Sequence, residues 1–300
     1  MLDDEVFIVA GGGRGIGEAT AVELGRHGAS VVVNDLGTSL GGEGRDEEPA
    51  ATTARAVREA GGAATTHLGD VTDFDYVGSL VADAVEEYGR IDGVIDFAGI
   101  VRDGISYKMS PEDFDAVVDV HLRGHFCLLR RVAAHWRERA GEREDDRLAD
   151  QRSFVSVVSP AIWGNPGQLN YASAKAGVLG MTRTAAAELF RYNVRVNAFM
   201  PLAFTRMVES IPEEKRPFDP EDIPPEKAAT TAAYLLSDAA TDVTGCTVRA
   251  AGDEISIVSN PTVTHRAYRD GGWSLADIAD HFREDIAGGA DLTRLDRPNP

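Results

Sequence analysis

The stretch VFIVAGGGRGIG, residues 6–17, decides how this chain folds. Val6–Ala10 is an unbroken apolar run ending on Gly11, and over 16–26 the apolar residues recur at helical spacing. A short apolar strand, a glycine turn and a helix are the opening unit of a parallel sheet covered on both faces. The glycines let the backbone turn tightly and approach a ligand closely. The start of the helix offers free N–H groups and a partial positive charge. The spacing is GxxxGxG rather than GxGxxG, but it meets the same demand, a seat for a pyrophosphate. An ordinary glycine turn would use the same residues; the strand–loop–helix context favours the binding loop.

The pattern repeats outward from that unit. Further strands are predicted at 31–34, 64–68, 94–98, 154–158, 194–199 and 246–251. Helices are predicted at 50–60, 74–88, 111–139 (as one or two), 171–192 and 226–237. This alternation predicts an α/β fold, a doubly wound (Rossmann-like) seven-stranded parallel sheet with helices on both faces. It takes up residues 1–258. Residues 259–300 read as a C-terminal extension with an amphipathic helix at 275–286, between Ser274 as N-cap and Gly288. Three segments fall outside the alternation. Residues 36–49 read as a glycine-rich surface loop, 140–152 as a solvated charge run, and 210–225, with prolines among acids, as an irregular mobile flap.

Composition narrows the partners. Across 300 residues the net charge is −19, which argues against nucleic acid and anionic membranes. Lys108, Lys175, Lys215 and Lys227 are the only lysines. Such an acidic, lysine-poor chain resembles proteins of salt-accumulating organisms, and a GC-rich genome would also favour arginine. Cys127 and Cys246 lie far apart without CxxC spacing and read as reduced, structural residues. The first five residues carry three acids, Val6–Ala10 is too short for a signal h-region, and no run reaches the ~18 apolar residues of a membrane span. A soluble, cytoplasmic protein acting on a small molecule, without a metal site, is expected.

Two acid–base features locate chemistry. Asp35 ends the second strand, where a carboxylate hydrogen-bonds adenosine ribose hydroxyls and repels a 2′-phosphate, so NAD is favoured over NADP. Arg14 is the counter-signal, since a basic residue in the glycine loop can hold that phosphate. Tyr171 and Lys175 stand at i and i+4 on one helical face. A nearby ammonium favours the phenolate of a group whose ordinary pKa is about 10. Tyr171 can then take a proton from an alcohol, or return it to a ketone.

From about residue 6 to 252 the chain resembles the short-chain dehydrogenase/reductase family. The resemblance rests on Gly11–Gly17, Gly69-Asp70-Val71, Ala98-Gly99, Asn165-Pro166-Gly167-Gln168-Leu169-Asn170-Tyr171 and Asn197-Ala198-Phe199-Met200-Pro201. Asn34-Asp35-Leu36-Gly37 and His121-Leu122-Arg123-Gly124 are similar to the dehydrogenase domain of the D-specific multifunctional enzyme of fatty-acid β-oxidation and its bacterial relatives. The resemblance implies NAD-dependent oxidation of a 3-hydroxyacyl thioester or similar secondary alcohol. It implies a cofactor seat of Gly11, Gly13, Arg14, Gly15, Ile16, Gly17, Asp35, Leu36, Asp70, Val71, Ala98, Gly99, Tyr171, Lys175, Pro201 and Thr205. Within it Asp70 and Val71 border the adenine, and Thr205 contacts the carboxamide or pyrophosphate. It also implies a homodimer or homotetramer, with 111–139 and 171–192 at an interface.

Three departures from the family pattern stand out. Val158 stands where the family has its catalytic serine, 13 residues before Tyr171. Ser159 is the nearest hydroxyl, and it replaces that serine only if the loop before Pro160 has shifted, because one residue of slip in a strand turns a side chain to the other face. Asp96-Phe97 replaces the family's paired asparagines. His121 takes the place of the asparagine that completes the family's proton relay; it is a candidate relay or substrate contact, or a hydrogen-bonded core histidine. With Ser159 in place the chain is an enzyme; without it, a catalytically impaired NAD-binding protein of the same fold. Substrate is expected between 100–107, 162–165 and 204–225; Ile162, Trp163 and Phe204 either make that pocket apolar or belong to core or oligomer packing, which the sequence alone does not separate.

Overall fold

The computed structural model describes residues 2–209, 216 and 219–289. Its strands are β1 (Val6–Ala10), β2 (Ser30–Asn34), β3 (Ala63–His67), β4 (Gly93–Asp96), β5 (Arg152–Val157), β6 (Val194–Leu202), β7 (Thr247–Ala251) and β8 (Glu254–Val258). They form one sheet in the order β3-β2-β1-β4-β5-β6-β7-β8. All neighbours run parallel except β7 and β8. The doubly wound architecture is therefore as expected, but the count of seven is corrected to eight. The added strand returns antiparallel through the two-residue loop Gly252-Asp253, with Gly252 at φ 58°.

β1 is buried along its whole length because helices cover both faces of the sheet. On one side α1 (Gly15–Arg26), α2 (Glu48–Glu59) and the later α8 (Pro225–Leu236) close a core around Leu24, Val57, Phe199 and Leu235. On the other, α3 (Phe74–Tyr88) and α5 (Gly124–Gly141) bring Leu80, Leu128 and Trp136 onto Ile8 and Phe154. The expected long helix over 111–139 is two helices, α4 (Pro111–Val118) and α5, joined by a π-helical turn at Asp119–Arg123. That turn carries His121, and π-turns inside helices often mark functional sites. α6 (Leu169–Leu189) carries Tyr171 and Lys175, and α7 (Arg206–Glu209) is a single turn after β6.

The chain divides at Val258 and Ser259 into two compact units. In the second, α9 (Leu275–His281) starts at a Ser274–Asp277 capping box and runs into a π-turn at Phe282–Ile286. Residues 210–215 and 217–218, the middle of the expected flap, lie outside the described residues. Among the described residues no helix is long and apolar enough to cross a membrane, and both cysteines are free thiols.

Candidate active site

Strand order reverses between β1 and β4, and a doubly wound sheet opens its crevice at that point, beyond the strands' C-terminal ends. A cleft of ≈ 520 Å³ lies there. Gly11, Arg14, Gly15, Ile16, Gly17, Asp35, Leu36, Asp70, Val71, Ala98, Gly99, Tyr171, Lys175, Pro201, Thr205, Ser159 and His121 all line it. Gly13 sits just behind, donating its N–H to Asp35 Oδ2 at 2.8 Å.

The glycine loop is a cradle that larger residues would fill. A Cβ on Gly17 would stand 2.1 Å from the Gly11 carbonyl oxygen, and one on Gly11, at φ +65°, 2.4 Å from the Ala98 nitrogen. No side chain caps the start of α1, so its first N–H groups remain open to an anion. Asp35 accepts from Gly13 N–H through Oδ2 and from Gly37 N–H, at 2.7 Å, through Oδ1. The Arg14 guanidinium turns to the Thr38 carbonyl at 3.3 Å and lies 3.9 Å from Asp46. The loop over 36–46, expected as a plain surface loop, is a strap along the cleft. Leu36, Thr38, Leu40 and Gly42 line it, and Leu40 and Gly41 carbonyls accept from Val101 N–H and Arg102 Nε.

At the other end of the cleft the acid–base groups converge. Lys175 is 2% exposed and donates to the Val157 carbonyl at 2.6 Å. Burial pushes its pKa down to about 8, and the Asp96 charge works against that fall. Burial also raises the Tyr171 phenol above its ordinary value, while a hydrogen bond with Ser159 pulls it back. Ser159 and Tyr171 both line the cleft. β5 ends at Val157, Val158 turns into a small core with Val178, Ala198 and Met200, and Ser159 caps the 3-10 turn Pro160–Trp163 by accepting from Ala161 N–H. A hydroxyl thus lines the cleft one residue after Val158.

His121 packs edge-on against the Tyr171 ring, centroids 4.8 Å apart, and its Nε2 lies 2.9 Å from the Ile100 carbonyl oxygen. Burial, then the Lys175 charge, push its pKa well below the ordinary value, so it is neutral. Its Nδ1 is buried without a partner. Gly99 makes room for it: a Cβ there would stand 2.4 Å from the imidazole.

Two expectations need correction, and some partners escaped the sequence reading. Ile162 and Trp163 pack on the Val158 core rather than lining the cleft. Phe204 sits outside it too, its ring 5.5 Å from the Arg216 guanidinium. Ile100, Met207 and Val208 give the cleft its apolar wall. Asn170, fully buried, donates to the Arg102 and Asp113 carbonyls and accepts from Tyr171 N–H, tying the segment after β4 to the start of α6. The Asp96–His125 contact, 2.7 Å, was not foreseen either.

Comparison with known proteins agrees with this geometry. The family profile described as enoyl-(acyl carrier protein) reductase matches residues 10–252. The chain is 36% identical over 297 residues to hydroxyacyl-CoA dehydrogenase ChsB1 of Mycobacterium tuberculosis, covering 96% of this chain and 90% of that protein. It is also 36% identical over 225 residues to the peroxisomal hydratase-dehydrogenase-epimerase of Saccharomyces cerevisiae, covering 74% of this chain but 24% of that longer protein. A crystal structure of a short chain dehydrogenase from Mycobacterium avium superposes with a TM-score of 0.81 at 34% identity, over 96% of each chain.

Proposed function

The chain belongs to the short-chain dehydrogenase/reductase family, whose members act on CH–OH groups with a nicotinamide cofactor, and from that premise we propose that it is an NAD(H)-dependent dehydrogenase of 3-hydroxyacyl thioesters or closely similar secondary alcohols. The observation that carries the reading is the convergence of Ser159, Tyr171 and Lys175 at one end of the cleft whose other end is the glycine cradle.

NAD supplies the hydride acceptor when bound; Gly11–Gly17, Asp35, Asp70, Val71, Ala98, Gly99, Pro201 and Thr205 would hold it. Tyr171 takes the alcohol proton during oxidation and returns it during reduction. Ser159 donates a hydrogen bond to the substrate oxygen as charge develops there. Lys175 holds a positive charge beside the phenol, its Nζ 5.8 Å from the ring centroid. Neutral His121 braces the Tyr171 ring. Asp35 disfavours a 2′-phosphate by like charge, and Arg14, turned to Thr38 and Asp46, is not aimed at one.

The substrate class follows from the thioester-acting relatives and the apolar wall. The test is calorimetric titration with NAD and NADP, then turnover of a 3-hydroxyacyl-CoA series at the nicotinamide band. NAD should bind more tightly; tighter NADP would overturn the cofactor assignment, and inert hydroxyacyl-CoA beside active simple alcohols would overturn the substrate class. Assembly as a homodimer or homotetramer is part of the same proposal, checked by sedimentation.

A further inference from the structure

Asp96 and His125 are both 0% exposed, and no step above uses either. Asp96 ends β4, and its Oδ1 accepts from Ala98 N–H at 2.9 Å. Its Oδ2 stands 2.7 Å from His125 Nδ1, a close approach bent away from the line of a straight hydrogen bond. On the far side of the ring, Val157 N–H donates to His125 Nε2 at 3.2 Å. The carbonyl of the same residue, Val157, accepts from Lys175 Nζ.

That chain of contacts fixes the protonation of His125. Since Nε2 accepts from a peptide N–H, it carries no proton, so a neutral ring has its proton on Nδ1, facing Asp96. Burial lowers the pKa of this imidazole, in the same sense. A neutral His125 leaves the charge of a fully buried carboxylate uncancelled at that contact. The ammonium of Lys175 is the cation that feels it. The titratable groups around Lys175 are Asp96 from β4, His121 and His125 from the α4–α5 segment, and Tyr171 from its own helix. Asp96 is the acid among them apart from the phenol.

We propose that Asp96 and His125 are positioning residues for Lys175: His125 locks the Val157 peptide that holds the ammonium, and the Asp96 carboxylate supplies the countercharge that keeps that ammonium charged in a buried site. The inference rests on the dehydrogenase reading for its purpose, though not for its test. It also explains Asp96-Phe97 in place of the paired asparagines. The acid and the histidine work together, since an asparagine at 96 could keep the Ala98 contact but bring no charge.

With four lysines in the chain, lysine labelled with 15N resolves Lys175 by NMR in the cofactor-free protein, where it should titrate at about 8. Asp96→Asn keeps the shape and an acceptor for Ala98 N–H. It should lower the Lys175 titration by about one pH unit or more, leaving about half or less of the ammonium charged at pH 7, and cut kcat/KM there about twofold or more. A titration unmoved while only the melting temperature drops would overturn the proposal. A second pair of variants serves if Asp96→Asn does not fold. His125→Gln retains an acceptor for Val157 N–H and a donor for Asp96, whereas His125→Leu has neither. Gln should keep kcat within about threefold and Leu should lose about tenfold with KM little changed; equal effects would overturn the positioning role. Should the wild-type protein turn over no alcohol while Asp96→Asn still moves Lys175, the dehydrogenase reading fails and the positioning inference stands.

Discussion

The two ends of the sheet both bury charge, and they use it differently. At the N-terminal end of the strands, Asp92, 4% exposed, accepts from Val6 N–H at 2.9 Å and pairs with Arg90 at 2.7 Å and Arg152 at 2.8 Å. Arg195 beside it is spent on carbonyls at the end of α8, Leu235 and Ser237, both at 2.9 Å. The guanidinium groups there meet acceptors within the fold, as buried charge demands. At the C-terminal end, Lys175 has one carbonyl and a remote carboxylate, and His121 keeps an unpartnered Nδ1. Hydrogen-bonding capacity is left over at one end and exhausted at the other. A site is where the fold tolerates that surplus, because a ligand can complete it.

If that contrast holds, substitutions at the two ends should separate rate from stability. Tyr171→Phe should cut turnover by about 10³-fold or more, as loss of an acid–base group does, with NAD affinity and melting temperature little changed. Ser159→Ala should cost about 10²–10³ in kcat. Val158→Ser should add no activity and should destabilise, since Val158 is 1% exposed among apolar neighbours. Steady-state kinetics beside thermal melts checks all three; a silent Ser159→Ala would return the chain to the class of impaired dehydrogenases.

At the opposite end the expected effect falls on stability alone. Asp92→Ala leaves Arg152, 11% exposed at its side chain, without its main partner. Breaking a buried pair in this way costs about 3–5 kcal/mol. Chemical unfolding should record that loss while kcat of the folded fraction stays within about twofold, because the pair lies across the sheet from the cleft. A tenfold fall in kcat would mean the two ends are coupled.

The same contrast explains what the sequence could disclose. The parallel sheet was legible because each strand is a short apolar run and each helix repeats at helical spacing. The antiparallel β8 carries no apolar run like the other strands; its signal is hairpin chemistry, Gly252-Asp253 before an alternating Glu254–Val258. Tyr171 and Lys175 were legible since helical geometry alone sets them side by side. Ser159 against Val158 was not decidable, because the answer depends on β5 ending at Val157. Ile162 and Trp163 were placed at the substrate because apolar character does not distinguish a pocket wall from a core. Asp96 and His125 meet only through the packing of α5 on the sheet, which no local spacing encodes.

The smallest expected effect lies at the N-terminal end and concerns pH. Glu5, half-buried, has its pKa raised from 4.5 to about 7, chiefly by burial and then by Asp238 and Asp92, with Arg90 and Arg152 opposing. The folded state therefore holds a proton that the unfolded chain has released over that interval. By linkage this group's contribution to stability is fully present below 4.5 and is lost as pH rises through about 7. Raising pH from 5 to 8 should thus lower the melting temperature through Glu5, and Glu5→Gln should flatten that part of the curve. Partial exposure lets water and salt screen the charge, so the shift should be about 1–3 °C rather than the full value of the pKa change. It should shrink further in molar salt, which screens the neighbouring acids on a chain of net charge −19. The cleft gives the opposite sense. The Lys175 ammonium has its pKa lowered from 10.5 to about 8, so its contribution to stability grows as pH rises from about 8 towards 10.5, above the Glu5 interval. Melting curves of Glu5→Gln and wild type from pH 5 to 8 isolate the Glu5 effect; parallel curves would remove Glu5 from the account.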